Sequence, residues 1–147
     1  MYNYNRSVTS AEKMTAQELL ERYAAGERDF IRVDLRGVDL RGVDLHGANL
    51  RGANLSKAKL LGAKLLGVIL SYADLSYTDM RKTNMHGTKL INAAMIGTKL
   101  NGAKLTGADM RGAVLSGADF TGADLRVADF TDADIKGAIG IPDKYLR

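Results

Sequence analysis

Residues 48–67 read Ala48-Asn49-Leu50-Arg51-Gly52, Ala53-Asn54-Leu55-Ser56-Lys57, Ala58-Lys59-Leu60-Leu61-Gly62 and Ala63-Lys64-Leu65-Leu66-Gly67: four copies of one five-residue unit. Outward from this stretch the beat holds from Val33 to Gly137 without a slip. A bulky apolar centre falls at Leu35 and at every fifth residue to Ile135, 21 in all: 14 Leu, four Met, two Phe and one Ile. Two residues before each centre stands a small residue (13 Ala, four Val, four Thr), and two residues after it Gly fills 14 of the 21 positions.

A period of five excludes the ordinary elements. On an α-helix five residues advance through about 500°, so the centres spiral and no face is apolar. A long flat strand needs a period of two. A short extended piece followed by a corner fits, because the small residue and the centre are two apart and point to one face. Gly then supplies the freedom a turn requires. Each unit becomes one side of a coil, and coils stack through backbone hydrogen bonds.

The units Ala48-Asn49-Leu50, Ala73-Asp74-Leu75 and Ala123-Asp124-Leu125 resemble the A-(D/N)-L-x-x pattern of the pentapeptide-repeat family, over about three-quarters of the chain. That resemblance implies an all-β solenoid: a right-handed quadrilateral β-helix with four units per coil, hence about five coils and a rod roughly 25 Å long. The residues before the centres support a 20-residue coil independently. One side reads Asp39, Lys59, Asp79, Lys99, Asp119, and the next Asp44, Lys64, Asn84, Lys104, Asp124. Alternating signs on a ladder are mildly stabilising, at about 0.2–1 kcal/mol each.

The expected organisation is a flexible arm at 1–14, a capping helix within 15–29, the β-helix over 30–140 and a tail or cap at 141–147. Thr15-Ala16-Gln17-Glu18 reads as a capping box, flanked by a Met14/Leu19 staple. Leu19, Leu20 and Tyr23 give the helix an apolar face, and Gly26 ends it. Such a helix covers the open strand edge of a solenoid. Residues 23–30 resemble the entry segment of several cyanobacterial pentapeptide-repeat proteins, one of which influences heterocyst patterning. At the other end Ile141, Tyr145 and Leu146 are expected over the last coil, with Pro142 blocking further pairing.

Chemistry is sparse. There is no Cys, which excludes disulfides and thiolate sites. His46 and His86 share one corner but stand two coils apart, about 10 Å, too far to share a metal. Ser56, Ser76 and Ser116 have no His beside them to act as base. No tuned carboxylate pair, P-loop or dinucleotide fingerprint is present. The expectation is therefore a non-enzymatic protein with no catalytic, cofactor or metal residues and no small-molecule substrate. With no signal peptide and no apolar run of membrane length, a cytoplasmic location is expected.

Binding is the remaining class. Leu61, Leu66, Ile69, Ile91, Ile96 and Val114 point outward in the proposed register, and Ile69, Ile91, Ile96 and Val114 gather by the corner carrying Tyr72 and Tyr77. Apolar and Tyr content of this kind marks a candidate surface for a protein partner or self-association. The formal net charge of +4 argues against the gyrase-directed role of those family members that imitate DNA with an acidic rod. Nucleic acid is disfavoured as a partner too. Arg36, Arg41 and Arg51 make a basic band, with Lys82 and Lys89 further on, but alternating Asp residues dilute it and no aromatics interleave for stacking.

Overall fold

In the computed structural model, which describes residues 11–146, the chain winds into a four-sided solenoid with a turn after every fifth residue. Parallel bridges join residues 20 apart at every level from Asp29↔Asn49 to Asp119↔Ile139. Asp39 faces Lys59, and Leu55 donates its N–H to the Asp74 carbonyl at 2.8 Å, so Leu55 and Leu75 lie on one wall. The extended pieces are too short for ladders, and each level contributes a single bridge per side. The register runs one unit beyond the 21 at each end, with Phe30 buried as an entry centre and Gly140 in the centre position after Ile139. The sides are named below by their first leucine: Leu35, Leu40, Leu45 and Leu50.

The five-residue pattern is an accounting of backbone N–H groups. In the unit around Leu60, Lys59 N–H bonds back to Val38 (2.9 Å), and Leu60 and Gly62 bond forward to Asp79 and Arg81 (2.8 and 2.9 Å). Ala63 N–H closes the turn onto the Leu60 carbonyl at 2.9 Å. The fifth N–H, just after the centre, finds the carboxylate or amide before it wherever Asp or Asn is present, as in Arg36 N–H to Asp34 (3.2 Å) and Ser56 N–H to Asn54 (3.1 Å). Backbone donors demand partners, and this explains why Asp and Asn recur where solvent alone would accept any polar residue.

Inside, the centres and their small neighbours form one continuous core, with Leu35, Leu40, Leu75, Met80, Met85 and Leu90 fully buried. No water fits among the leucines of the first coils. Thr replaces Ala at four interior positions without leaving an unsatisfied hydroxyl: Thr78 and Thr83 bond within their own level, and Thr88 and Thr98 reach the coil below. The third residue of each turn has positive φ. Besides Gly, it is Arg32, Lys57, Tyr72, Tyr77, Lys82, Asn92, Val127 or Asp132, with φ of 56–63°. L-residues bear about 1–2 kcal/mol for that conformation.

Helix α1 spans Ala16–Ala24, with the full Thr15/Glu18 capping box in place. Leu19 is fully buried, and Gly26 follows the helix at φ 100°. The arm expected to be flexible over 1–14 is corrected for its last residues. Lys13 pairs with Asp34, Met14 is buried, and Asp34 N–H bonds to the Glu12 carbonyl at 2.8 Å, because the first coil's open edge needs acceptors. The rest of that expectation, residues 1–10, lies outside the described residues. At the far end Tyr145 packs edge-on against Phe130, whereas Leu146, expected over the last coil, is 43% exposed. The single turn of 3-10 helix at Asp143–Tyr145 brings Tyr145 back to the core and leaves Leu146 beyond it.

Candidate interaction surface

On the Leu35 side the outward positions read Asp34, Asn54, Asp74, Ala94, Val114 and Asp134 from base to tip. Midway along, charge gives way to Ala94 and Val114, both half-buried. The corner entering this side carries Tyr72 and Ile91, and the corner leaving it carries Tyr77 and Ile96. The single corner expected for Tyr72 and Tyr77 is corrected to the two corners flanking this side, since five residues separate them. Ile91, Ile96 and Val114 lie about the same side, while Ile69 lies next door on the Leu50 side, bridged to Asn49 and Lys89.

The two tyrosines stand at φ 63° and 59° in the turn position that Gly occupies elsewhere, and they are 53% and 62% exposed. Arg51 from the coil below stacks on Tyr72 at 4.6 Å. The Tyr77 ring lies across the bare backbone of Gly97 on the coil above. Each ring is thereby held flat by one neighbour while keeping an open face.

The charged positions behave differently from the expected ladder. Asp and Lys do alternate in register, yet wherever an Arg stands two residues after the carboxylate, the carboxylate turns to that Arg, while Asp44 turns to His46 and Asp119 to Thr121. Arg41 grips Asp39 through two hydrogen bonds of 2.8 and 2.6 Å, and Arg81 grips Asp79 through two of 2.7 Å. Asp34, Asp109 and Asp124 repeat the arrangement with Arg36, Arg111 and Arg126. The stacked lysines act only as weaker, more distant charges. A guanidinium fork matches a carboxylate with two parallel bonds, which a flexible ammonium cannot do. The Asp-x-Arg triplets at 34–36, 39–41, 79–81, 109–111 and 124–126 were the available signal.

These bonds hold the Asp39 and Asp124 carboxyls down to about 2, chiefly through the side-chain hydrogen bonds from Arg41 and Arg126. A carboxylate with a folded pKa below its unfolded value stabilises the fold above the unfolded value. That contribution is lost as pH falls through the folded one. Urea midpoints should therefore drop as pH is lowered from about 4 towards 2. Arg41→Gln with Arg126→Gln should flatten that drop by lowering the pH 7 midpoint towards the acid one, a modest change since both pairs are solvent-exposed.

His46 accepts the N-terminal segment. Tyr23 Oη donates to its backbone carbonyl at 2.8 Å and lies 3.1 Å from Nδ1, which also sits 2.9 Å from Asp44. This pins α1 to the first coil. His86, two coils on, shares no ligand with it, and among the described residues no three His, Cys, Asp or Glu gather to hold a metal. Ser56 bonds to Asn54 and Ser76 accepts from Ile96 N–H, so neither faces a base. An open trough of about 620 Å³ runs beside Leu61, Lys82, Lys99 and Asp119. Among the described residues no helix is long and apolar enough to cross a membrane.

Comparison with known proteins agrees with this architecture. A model of pentapeptide repeats matches in eight copies, over residues 29–65, 48–87, 69–107 and 108–139. The pentapeptide repeat protein Rfr23 of the cyanobacterium Cyanothece 51142 superimposes with a TM-score of 0.68 at 27% identity, covering 83% of this chain and 97% of that one. A pentapeptide repeat protein of the Arabidopsis thaliana thylakoid lumen gives 0.68 at 29% identity, covering 84% and 91%. QnrB1, a plasmid-mediated fluoroquinolone resistance protein, shares the fold alone, with a TM-score of 0.54 at 23% identity over 75% of this chain and 63% of that one. No curated protein sequence matches. Pentapeptide repeat proteins fold as right-handed quadrilateral β-helices, and these neighbours support that winding here. With the repeat model spanning nearly every coil, the chain belongs to the pentapeptide repeat family.

Proposed function

We propose that the chain is a non-catalytic binding rod whose Leu35 side docks a protein, either a different chain or a second copy of this one. One observation carries the reading: Tyr72 and Tyr77 occupy a backbone conformation that favours Gly, yet more than half of each is open to solvent. Core packing does not account for residues so placed, whereas contact with a partner does. Ile91, Ile96 and Val114 extend the same area, and Ile69 borders it. The described part of the N-terminal segment engages the first coil through Asp34 and His46, below this area rather than over it.

Catalysis has little support, because the outward carboxylates accept hydrogen bonds from the residue two positions on and the interior is filled with apolar side chains. The gyrase-directed reading fits poorly with a net charge of +4, since imitation of DNA requires an acidic rod. A cytoplasmic setting remains part of the proposal, although the Arabidopsis neighbour resides in a thylakoid lumen. The test is Ile91→Lys combined with Ile96→Lys, two half-exposed positions that tolerate charge without disturbing the core. Sedimentation should shift to a smaller species, or a protein retained from the native host should be lost. Unchanged sedimentation and retention would make this an ordinary surface.

A further inference from the structure

The arginine–aspartate pairing changes the electrostatics of the edge where the Leu40 and Leu45 sides meet. From Lys59 to Lys104 these two sides and their shared corner carry six cations, Lys59, Lys64, Arg81, Lys82, Lys99 and Lys104, against one carboxylate, Asp79. Arg81 is spent on that carboxylate. Five exposed lysines remain: Lys59 and Lys99 on one flank, Lys64 and Lys104 on the other, and Lys82 on the corner between them. Each flank pair is two coils apart, about 10 Å. Lys82 stands at φ 58°, again where Gly is the relaxed choice. The carboxylates at the ends of this stretch are also engaged, Asp39 and Asp124 by arginine, Asp44 by His46, and Asp119 by Asn101 and Thr121.

We infer that this edge binds duplex DNA through its phosphates. The shape selects the ligand. A square rod presents a convex edge, here indented beside Leu61 and Asn101 by the open trough, with cations on both slopes and one at the crest. A flat anionic membrane meets only the crest of such a ridge. Two walls of phosphate flanking a groove meet both slopes, and the major groove of B-DNA, about 12 Å wide, is open enough to receive a ridge while that of duplex RNA is too narrow. Lysines, unlike the committed arginines, act as point charges, so the contact is with backbone and is indifferent to sequence. Single strands lack support because, among the described residues, no aromatic stands on this ridge to stack a base, Tyr77 lying at the far corner of the Leu40 side.

The test uses the full chain and a fluorescent DNA duplex of about 20 base pairs, followed by anisotropy between roughly 25 and 200 mM salt. Five phosphate contacts predict a log–log salt slope of about −4.5. Lys59→Gln, Lys82→Asn and Lys99→Gln together should weaken binding at least roughly tenfold and make the slope shallower by about 2.7. Lys64→Gln with Lys104→Gln tests the other slope and should shallow it by about 1.8. A triple of equal charge change elsewhere, Lys89→Gln, Lys136→Gln and Lys144→Gln, should stay within about twofold of the parent. All positions are exposed, and unchanged circular dichroism and melting confirm the fold. Equal losses from the two triples would reduce the effect to net charge and overturn the assignment. So would absence of binding at the lowest salt, or competition by single strands, duplex RNA, polyglutamate or phosphatidylserine vesicles as effective as duplex DNA.

Discussion

Leu75→Ala should lower the unfolding free energy by about 3–5 kcal/mol, the upper part of the range for buried leucines. Leu75 is fully buried and sits in a column between Leu55 and Met95. In a compact domain, neighbours from several directions can relax into a vacancy. Here they are fixed by coil-to-coil hydrogen bonds, 2.8 Å from Leu55 N–H to Asp74 and 2.7 Å from Leu75 N–H to Ala94, so the space cannot close. The Leu75 carbonyl also accepts from the Thr78 and Thr98 hydroxyls, which ties this level to the next side and to the coil above. The melting temperature should fall by roughly 10 °C, taking 2–4 °C per kcal/mol for a chain of this size. A loss below about 1 kcal/mol, read from urea titration, would mean the column repacks freely and the rigidity argument fails.

Gly97→Ala should cost more than Gly47→Ala, and the difference isolates one contact. Both glycines have positive φ, 64° and 70°, so both bear the left-handed penalty of about 1–2 kcal/mol. An added methyl at Gly47 meets nothing within 4 Å, whereas at Gly97 it would stand 2.8 Å from the Tyr77 ring. The ring must swing away and lose its seat on the coil above. The excess for Gly97→Ala should be about 1–2 kcal/mol, comparable with other overpacking substitutions. Tyr77→Ala in the same background should remove most of that excess, since the obstructing ring is gone. Equal costs at the two glycines would show that Tyr77 is not held as described. Because Tyr77 belongs to the proposed docking side, Gly97→Ala should also weaken partner retention.

Much of this was legible in one dimension. The 20-residue coil follows from the beat of five joined to the recurrence of opposite charges, and the capping box at Thr15 marks the helix to within a residue. Lys13 and Met14 were harder to read, since an unpaired first coil attracts whatever extended chain reaches it, and no local pattern announces that. The partner of each aspartate was likewise missed. Spacing along the chain treats a residue 20 away and a residue two away as rival neighbours, and only side-chain reach decides between them.

By itself, then, the order of amino acids determined which side chains enter the rod, which leave it, and which residues stand above one another, because a five-residue side with a small residue and a centre permits a single repeating inward pair. Tertiary structure alone decided how the outward charges are spent. Arginine at the corner folds back onto the carboxylate beside it with two bonds, while lysine on the flat side extends into water. The consequence is a rod with a ridge of lysines where two sides meet and, on the next side round, an area of tyrosine and isoleucine.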